Sequence, residues 1–212
     1  MIADCGLRIS GLYAITPEEP DTAELLRRVS LALQGGVRVL QYRNKLGNAA
    51  LRLEQAQALR ALTQEYGVLL IINDDAALTM QADADGVHLG SEDGSIAAAR
   101  HALGDGKIIG VSCYNRLSLA HQAVIQGADY VAFGAFFAST TKPDAQGVTL
   151  ELLRQARREI DLPLVAIGGI TAENGASVLA AGADALAVIS ALFDAEDILS
   201  AAQRLASLNL HN

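Results

Sequence analysis

The sequence predicts a single-domain (β/α)8 barrel, and three observations carry that prediction. Short β-branched apolar runs recur along the chain and end abruptly in polar side chains or glycines, as parallel strands buried on both faces should. Segments with helical periodicity stand between them. A weak internal repeat marks the junctions: Ala82-Asp83-Ala84-Asp85, Gly127-Ala128-Asp129 and Gly182-Ala183-Asp184 each lie between a helical stretch and an apolar run.

The elements follow in order. Leu12 to Ile15 is the first strand. A helix comes next, with the apolar stripe Leu25, Leu26, Val29, Ala32 and Leu33, Asp21 as its cap and Gly35-Gly36 as its stop. The second strand, Val37-Arg38-Val39-Leu40, ends in Gln41-Tyr42-Arg43-Asn44-Lys45. Leu51 to Glu65 is rich in strong helix formers, and Gly67 separates it from strand three, Val68 to Ile72, which runs into Asn73-Asp74-Asp75. Strand four, Gly86 to Leu89, leads to Ser91-Glu92-Asp93, and strand five, Lys107 to Val111, ends in Ser112. Gly104-Asp105-Gly106 stands before a strand rather than after one, so it ends a helix. With G-x-x-x-x-G-K-[ST] also absent, a doubly wound nucleotide-binding sheet loses its fingerprints. Strand six, Tyr130 to Phe133, leads through Phe136-Phe137 to Ser139-Thr140-Thr141-Lys142. Strand seven, Leu164 to Ile167, ends in Gly168-Gly169, and strand eight, Ala185 to Ile189, ends in Ser190. The stripe Ile198, Leu199, Ala202, Leu205 and Ala206 behind Asp194 forms the last helix. Short right-handed crossovers close eight such strands into a barrel, with ligand groups at their carboxyl ends.

Composition narrows the functions. With 51% hydrophobic content and no linker-like stretch, residues 1–212 form one domain. Sixteen Lys and Arg against 24 Asp and Glu give a net charge of -8, which opposes general attraction to nucleic acid or an anionic membrane. Any phosphate site must therefore be locally basic. Cys5 and Cys113 lack metal-ligand spacing and read as ordinary thiols of a reducing compartment; with no signal-peptide pattern at the start, the cytoplasm is the expected location. Gly182, Asp184 and Ser190 interrupt the longest apolar region, Ala176 to Phe193, against a membrane span. Ala-rich helix faces suit packing within the chain and contact between subunits equally, which leaves a homo-oligomer open.

Polar residues at strand ends supply the candidate chemistry. Alternation puts Gln41, Arg43 and Lys45 on one face and Leu40, Tyr42 and Asn44 on the other, so two cations can reach one anion; a solvated loop is the plainer reading. Asp74 and Asp93, on adjacent units, can share a hard cation, for which magnesium is the natural choice, whereas Asp75 can simply cap the next helix. Ser139, Thr140, Thr141 and Lys142 offer hydroxyls, amides and a cation to a phosphate, or form a polar turn ending at Pro143. Gly168-Gly169 and Ser190 fall where such barrels most often bind a monophosphate, although a tight turn also explains the glycines. His88, between Val87 and Leu89, reads as a packed or hydrogen-bonded strand histidine without a catalytic role, and Ser112, with no base beside it, as a hydrogen-bonding group.

In their order and spacing, Gln41 to Lys45, Asn73-Asp74, Asp85 to Gly90 with Asp93, Gly110-Val111-Ser112, Ser139 to Lys142 and Val165 to Ile170 resemble the thiamine phosphate synthase family over about Leu12 to Leu192. The resemblance implies a (β/α)8 barrel. It also implies an enzyme joining 4-amino-2-methyl-5-hydroxymethylpyrimidine diphosphate to 4-methyl-5-hydroxyethylthiazole phosphate, with release of diphosphate. It assigns Gln41, Tyr42, Arg43, Asn44, Lys45, Asn73, Ser112 and Lys142 to the pyrimidine diphosphate, with Arg43, Lys45, Ser112 and Lys142 catalytic. Ser139, Thr140, Thr141, Gly169, Ile189 and Ser190 receive the thiazole phosphate, and Asp74 and Asp93 hold magnesium. Asn44 and Ser91 depart from the family, which is often acidic at the first place and carries glutamine at the second. The alternatives are a thiazole tautomerase, which needs no diphosphate apparatus, and a non-catalytic sensor of phosphorylated ligands.

Overall fold

A computed structural model of the chain describes residues 9–90, 95–137 and 147–208. Strands β1 (Gly11–Ile15), β2 (Val37–Tyr42), β3 (Leu69–Asn73), β4 (Gly86–Leu89), β5 (Ile108–Tyr114), β6 (Tyr130–Phe133), β7 (Leu164–Ile167) and β8 (Ala185–Val188) pair in parallel in chain order. Pairing of β1 with β8, with Leu12 opposite Leu186 and Ala14 opposite Val188, closes the barrel. Helices α1 (Thr22–Gln34), α2 (Ala49–Tyr66), α3 (Ala76–Gln81), α4 (Ile96–Leu103), α5 (Leu117–Ile125), α6 (Leu150–Glu159) and α7 (Gly175–Ala180) are the crossovers. Beyond β8 come the short helix α8 (Ser190–Phe193) and α9 (Ile198–Ser207).

The helix boundaries have local causes. Asp21 accepts hydrogen bonds from the amides of Ala23 and Glu24, and Asp75 from that of Leu78, so both cap as expected. Gly67 ends α2 in the left-handed conformation at φ 63°. The last helix begins at Ile198, as its stripe predicts: Asp194 follows α8, and Asp197 caps α9 by accepting from Ser200 N. The short turn of α8, which strand periodicity conceals, stands between β8 and α9.

Closure divides the core in two. Side chains at alternate strand positions fill the barrel, among them Tyr13, Ile15, Val39, Leu69, Ile71, Tyr130, Ala132, Val165, Ala185 and Ala187. Residues of the other parity, such as Leu12, Ala14, Leu40, Leu70, Ile72, Val87, Val131 and Leu186, pack outward against helices. Both faces are apolar, which is why the strands read as continuous hydrophobic runs. Cys113 lies in the outer layer, where burial pushes its thiol up to about 12 and keeps it protonated, as befits an ordinary thiol.

The internal repeat proves to be a bracing device at the amino-terminal ends of the strands. Asp85 accepts from Leu70 N at 2.7 Å and from Arg60 Nη1 at 2.8 Å, while its own amide donates to Leu70 O. Asp129 does the same with Ile109 N at 2.7 Å and Arg100 Nη2 at 2.6 Å, and Asp184 with Leu164 N at 2.7 Å and Arg157 Nη1 at 2.9 Å. Each carboxylate thus ties the first residue of one even strand's approach to the preceding odd strand and to the helix before that strand. Gly36 holds the corresponding place before β2, where a Cβ would come within 3.0 Å of Ala206 Cβ on α9.

Asp85→Ala should lower unfolding free energy by about 3 kcal/mol in urea titration, because it leaves a strand amide unpaired and the largely buried Arg60 guanidinium with only its 4.0 Å approach to Asp83. Asp83→Asn, by contrast, alters an exposed pair with Lys107 and should cost less than about 0.5 kcal/mol. Gly110→Ala should be more damaging, by about 3 kcal/mol or more in the same titration, since its Cβ would lie 1.9 Å from Tyr130 Cζ inside the barrel.

Candidate active site

The carboxyl ends of β2 and β3 bring Lys45 and Asp74 together. Alternation turns Gln41 into the barrel, where it is 3% exposed, and turns Tyr42 outward, where its hydroxyl donates to Gln55 Oε1 on α2 at 2.8 Å. Asn44 also reaches Gln55, through Nδ2 at 3.0 Å, while its Oδ1 accepts from the amides of Leu46 and Gly47. Tyr42 therefore spends its side chain on α2, Asn44 bonds α2 and the loop at the edge of a cavity that Lys45 also lines, and Arg43 turns to Glu18.

Asp74 is aimed by backbone conformation. It sits at φ 63°, a left-handed geometry that costs a non-glycine residue about 1 kcal/mol, and its amide donates to His88 O at 2.8 Å. Asn73 Nδ2 donates to Asp74 Oδ2, and Lys45 Nζ approaches the same oxygen at 3.5 Å. Asn44, Lys45, Arg52, Asn73, Asp74 and Asp75 line a cavity of about 320 Å³. A hard carboxylate oxygen lining such a cavity is of the kind that could hold magnesium, an ion that prefers oxygen ligands and retains several waters. Among the described residues no group of three or more His, Cys, Asp or Glu gathers as a metal site; Asp93, the other proposed ligand, lies outside the described residues, as do Ser91, Ser139, Thr140, Thr141 and Lys142.

Three contributors are not legible as site residues in the sequence. Thr16, just past β1, clasps Arg43 through its hydroxyl, accepting from Arg43 N at 2.9 Å and donating to Arg43 O at 3.2 Å. Glu18 accepts from the amide of Lys45 at 3.1 Å and meets Arg43 Nη1 at 3.3 Å. Arg52 reaches the cavity from α2 and approaches Asp75 Oδ2 at 3.5 Å. A lone Arg within a helix or an acid between two prolines carries no local sign of a site. The cations at this mouth are therefore already matched to internal carboxylates at 3.3 to 3.5 Å, longer than the 2.6 to 2.9 Å pairs of the three bracing aspartates.

Ser112 stands on β5 with its hydroxyl 2.9 Å from His88 Nε2, so it faces the barrel interior across from Gln41. His88 is the buried, hydrogen-bonded strand histidine that its setting predicts. On the far side, Gly168 and Gly169 adopt φ 103° and 63°, and a Cβ on Gly168 would lie 2.3 Å from Ala135 Cβ. Ile189 leads directly into Ser190, the first residue of α8. The β7 and β8 ends thus present two glycines and the start of a short extra helix side by side, the arrangement in which barrels of this class hold a phosphate.

Comparison with known proteins gives a consistent result. The family described as thiamine monophosphate synthase matches residues 12–192. A thiamine-phosphate synthase of Aromatoleum aromaticum is 56% identical over 190 residues, covering 90% of this chain and 91% of that one. Another, of Thiobacillus denitrificans, is 55% identical over 195 residues, covering 92% of each. Among solved structures, the thiamine phosphate pyrophosphorylase of Pyrococcus furiosus superposes with a TM-score of 0.86 at 37% identity over 96% of both chains. A 3-hexulose-6-phosphate synthase, at 19% identity and a TM-score of 0.71 over 92% of this chain and 98% of its own, shares the barrel fold. Both the closed barrel with its rim of strand-end polar groups and a match running from β1 to the helix after β8 place the chain in one lineage: it belongs to the thiamine monophosphate synthase family.

Proposed function

We infer that the chain catalyses thiamine phosphate synthesis, joining the pyrimidine diphosphate to the thiazole phosphate with release of diphosphate. The observation that carries this reading is that Lys45, Asn73 and Asp74, from two different strand ends, line one cavity, with Lys45 Nζ 3.5 Å from Asp74 Oδ2. Relatives at 55 to 56% identity that carry the synthase name support it, and no observation favours a tautomerase or a sensor.

In this reaction the bond between the pyrimidine methylene carbon and the diphosphate oxygen breaks, and the electron pair leaves with diphosphate. The thiazole nitrogen then donates its lone pair to that carbon, forming the new carbon–nitrogen bond. The protein's task is to stabilise departing charge and to hold two substrates in line, with little proton transfer. Arg43, Lys45 and Lys142 supply positive charge to the diphosphate, and Asn73 hydrogen-bonds beside it. Bound magnesium, held by Asp74 and Asp93, would add charge at the same oxygens. Because Arg43 already faces Glu18 and Lys45 already faces Asp74, a diphosphate exchanges partners with groups in place rather than ordering loose side chains. Ser139, Thr140, Thr141, Gly169, Ile189 and Ser190 hold the thiazole phosphate, and Gln41 and Ser112 seat the pyrimidine.

Purified protein given both substrates and magnesium should form thiamine phosphate and diphosphate in equal amounts; no product above a protein-free control rejects the assignment. Lys45→Ala, Asp74→Asn, Lys142→Ala and Asp93→Asn should each lower kcat/KM about a hundredfold or more with unchanged circular dichroism, the loss expected for one preorganised charge contact. Asparagine tolerates the left-handed backbone at position 74, so that variant isolates charge from conformation. Wild-type rates in the folded variants would remove those residues from the site.

A further inference from the structure

Five polar side chains cross the barrel beneath the mouth as one hydrogen-bonded chain. Gln41 Nε2 donates to the Tyr13 hydroxyl at 2.9 Å, and that oxygen lies 2.9 Å from the Tyr130 hydroxyl. Tyr130 lies 2.9 Å from His88 Nδ1, and His88 Nε2 lies 2.9 Å from Ser112 Oγ. The chain joins β2, β1, β6, β4 and β5, and its two ends are residues assigned above to the pyrimidine. Gly110 provides the room for the Tyr130 ring, which also stacks on His88 with centroids 5.6 Å apart.

With Gln41 Nε2 turned to Tyr13 and a neutral His88 ring, proton counting gives this chain one direction. Burial holds both phenols well above their ordinary value, so each keeps one proton to donate. Gln41 donates into Tyr13. Were Tyr130 to donate there as well, the Tyr13 proton would be buried without an acceptor, at the full cost of an unmade bond. Tyr13 therefore donates to Tyr130, and Tyr130 to His88 Nδ1. The imidazole then carries its proton on Nε2 and donates to Ser112 Oγ, and Ser112 turns its own proton toward the mouth.

We propose that His88, held as the Nε2–H tautomer by Tyr130, is a positioning residue that makes the Ser112 hydroxyl a hydrogen-bond donor to the substrate, so that this place selects a ring-nitrogen acceptor over an amino group. The substrate half of the inference rests on the seating of the pyrimidine on Ser112. The reverse polarity, with Gln41 accepting from Tyr13, makes Ser112 donate inward to His88 and removes the outward donor.

Nitrogen-15 NMR of the His88 ring in the full-length, substrate-free protein should show Nε2 protonated and Nδ1 accepting. Tyr130→Phe keeps the ring in its niche and removes the lock; it should mix the tautomers and raise KM for the pyrimidine diphosphate about tenfold, leaving KM for the thiazole phosphate unchanged. Ser112→Ala should raise the same KM, and the double variant should stay within about twofold of Ser112→Ala, because the chain acts only through that hydroxyl. A His88 ring protonated on Nδ1, or single effects that multiply in the double variant, overturns the inference. Ser112→Ala with an unchanged KM overturns the seating of the pyrimidine instead, and the tautomer measured without substrate tells the two failures apart.

Discussion

Everything in this protein depends on the parity that barrel closure imposes. Once β8 pairs with β1, each strand has one set of side chains inside and the other outside, and a slip of one residue would exchange them throughout. Parity puts Gln41, His88, Tyr13, Tyr130 and Ser112 within hydrogen-bonding distance although they come from five strands. It also sends Tyr42 outward to Gln55, so that adjacent residues of one motif serve different layers. The polar layer near the mouth is affordable because its members satisfy one another, while Val39, Leu69, Val165 and Ala185 fill the interior below with apolar volume.

The two ends of the barrel use the same residue types for opposite purposes. At the amino-terminal end, Asp85, Asp129 and Asp184 combine short Arg contacts with strand amides, so each carboxylate is saturated by groups that never leave. At the carboxyl-terminal end the pairs are longer and more open, and they involve the residues that a charged substrate would engage. A pair at 3.5 Å between an exposed lysine and a partly exposed aspartate holds geometry at little free-energy cost when the partners change. A net charge of -8 makes this local concentration of cations the more necessary for an anionic substrate.

Backbone conformation finishes what side-chain chemistry begins. Asp74 in the left-handed region turns its carboxylate into the cavity directly after a strand, where extended backbone would have continued the ladder. Gly168 and Gly169 open the space at the β7 end, since a side chain on Gly168 would strike Ala135. The short α8 then places Ser190 at a helix start beside them. These features give the mouth two unlike halves, one of charged side chains and one of exposed backbone.

Sequence by itself determined the fold class and the eight strands, because apolar period and strand polarity are local properties that survive in one dimension. It also marked Asp83 to Asp85, Asp129 and Asp184 as a repeat, but not as braces, since their Arg partners lie up to 29 residues away with no fixed spacing. Only the tertiary structure decided that Thr16, Glu18 and Arg52 gather around the β2 end, that a short α8 precedes the last helix, and that His88 bridges Tyr130 to Ser112. Those facts depend on distances between separate strands and helices, and such distances exist only after the barrel closes.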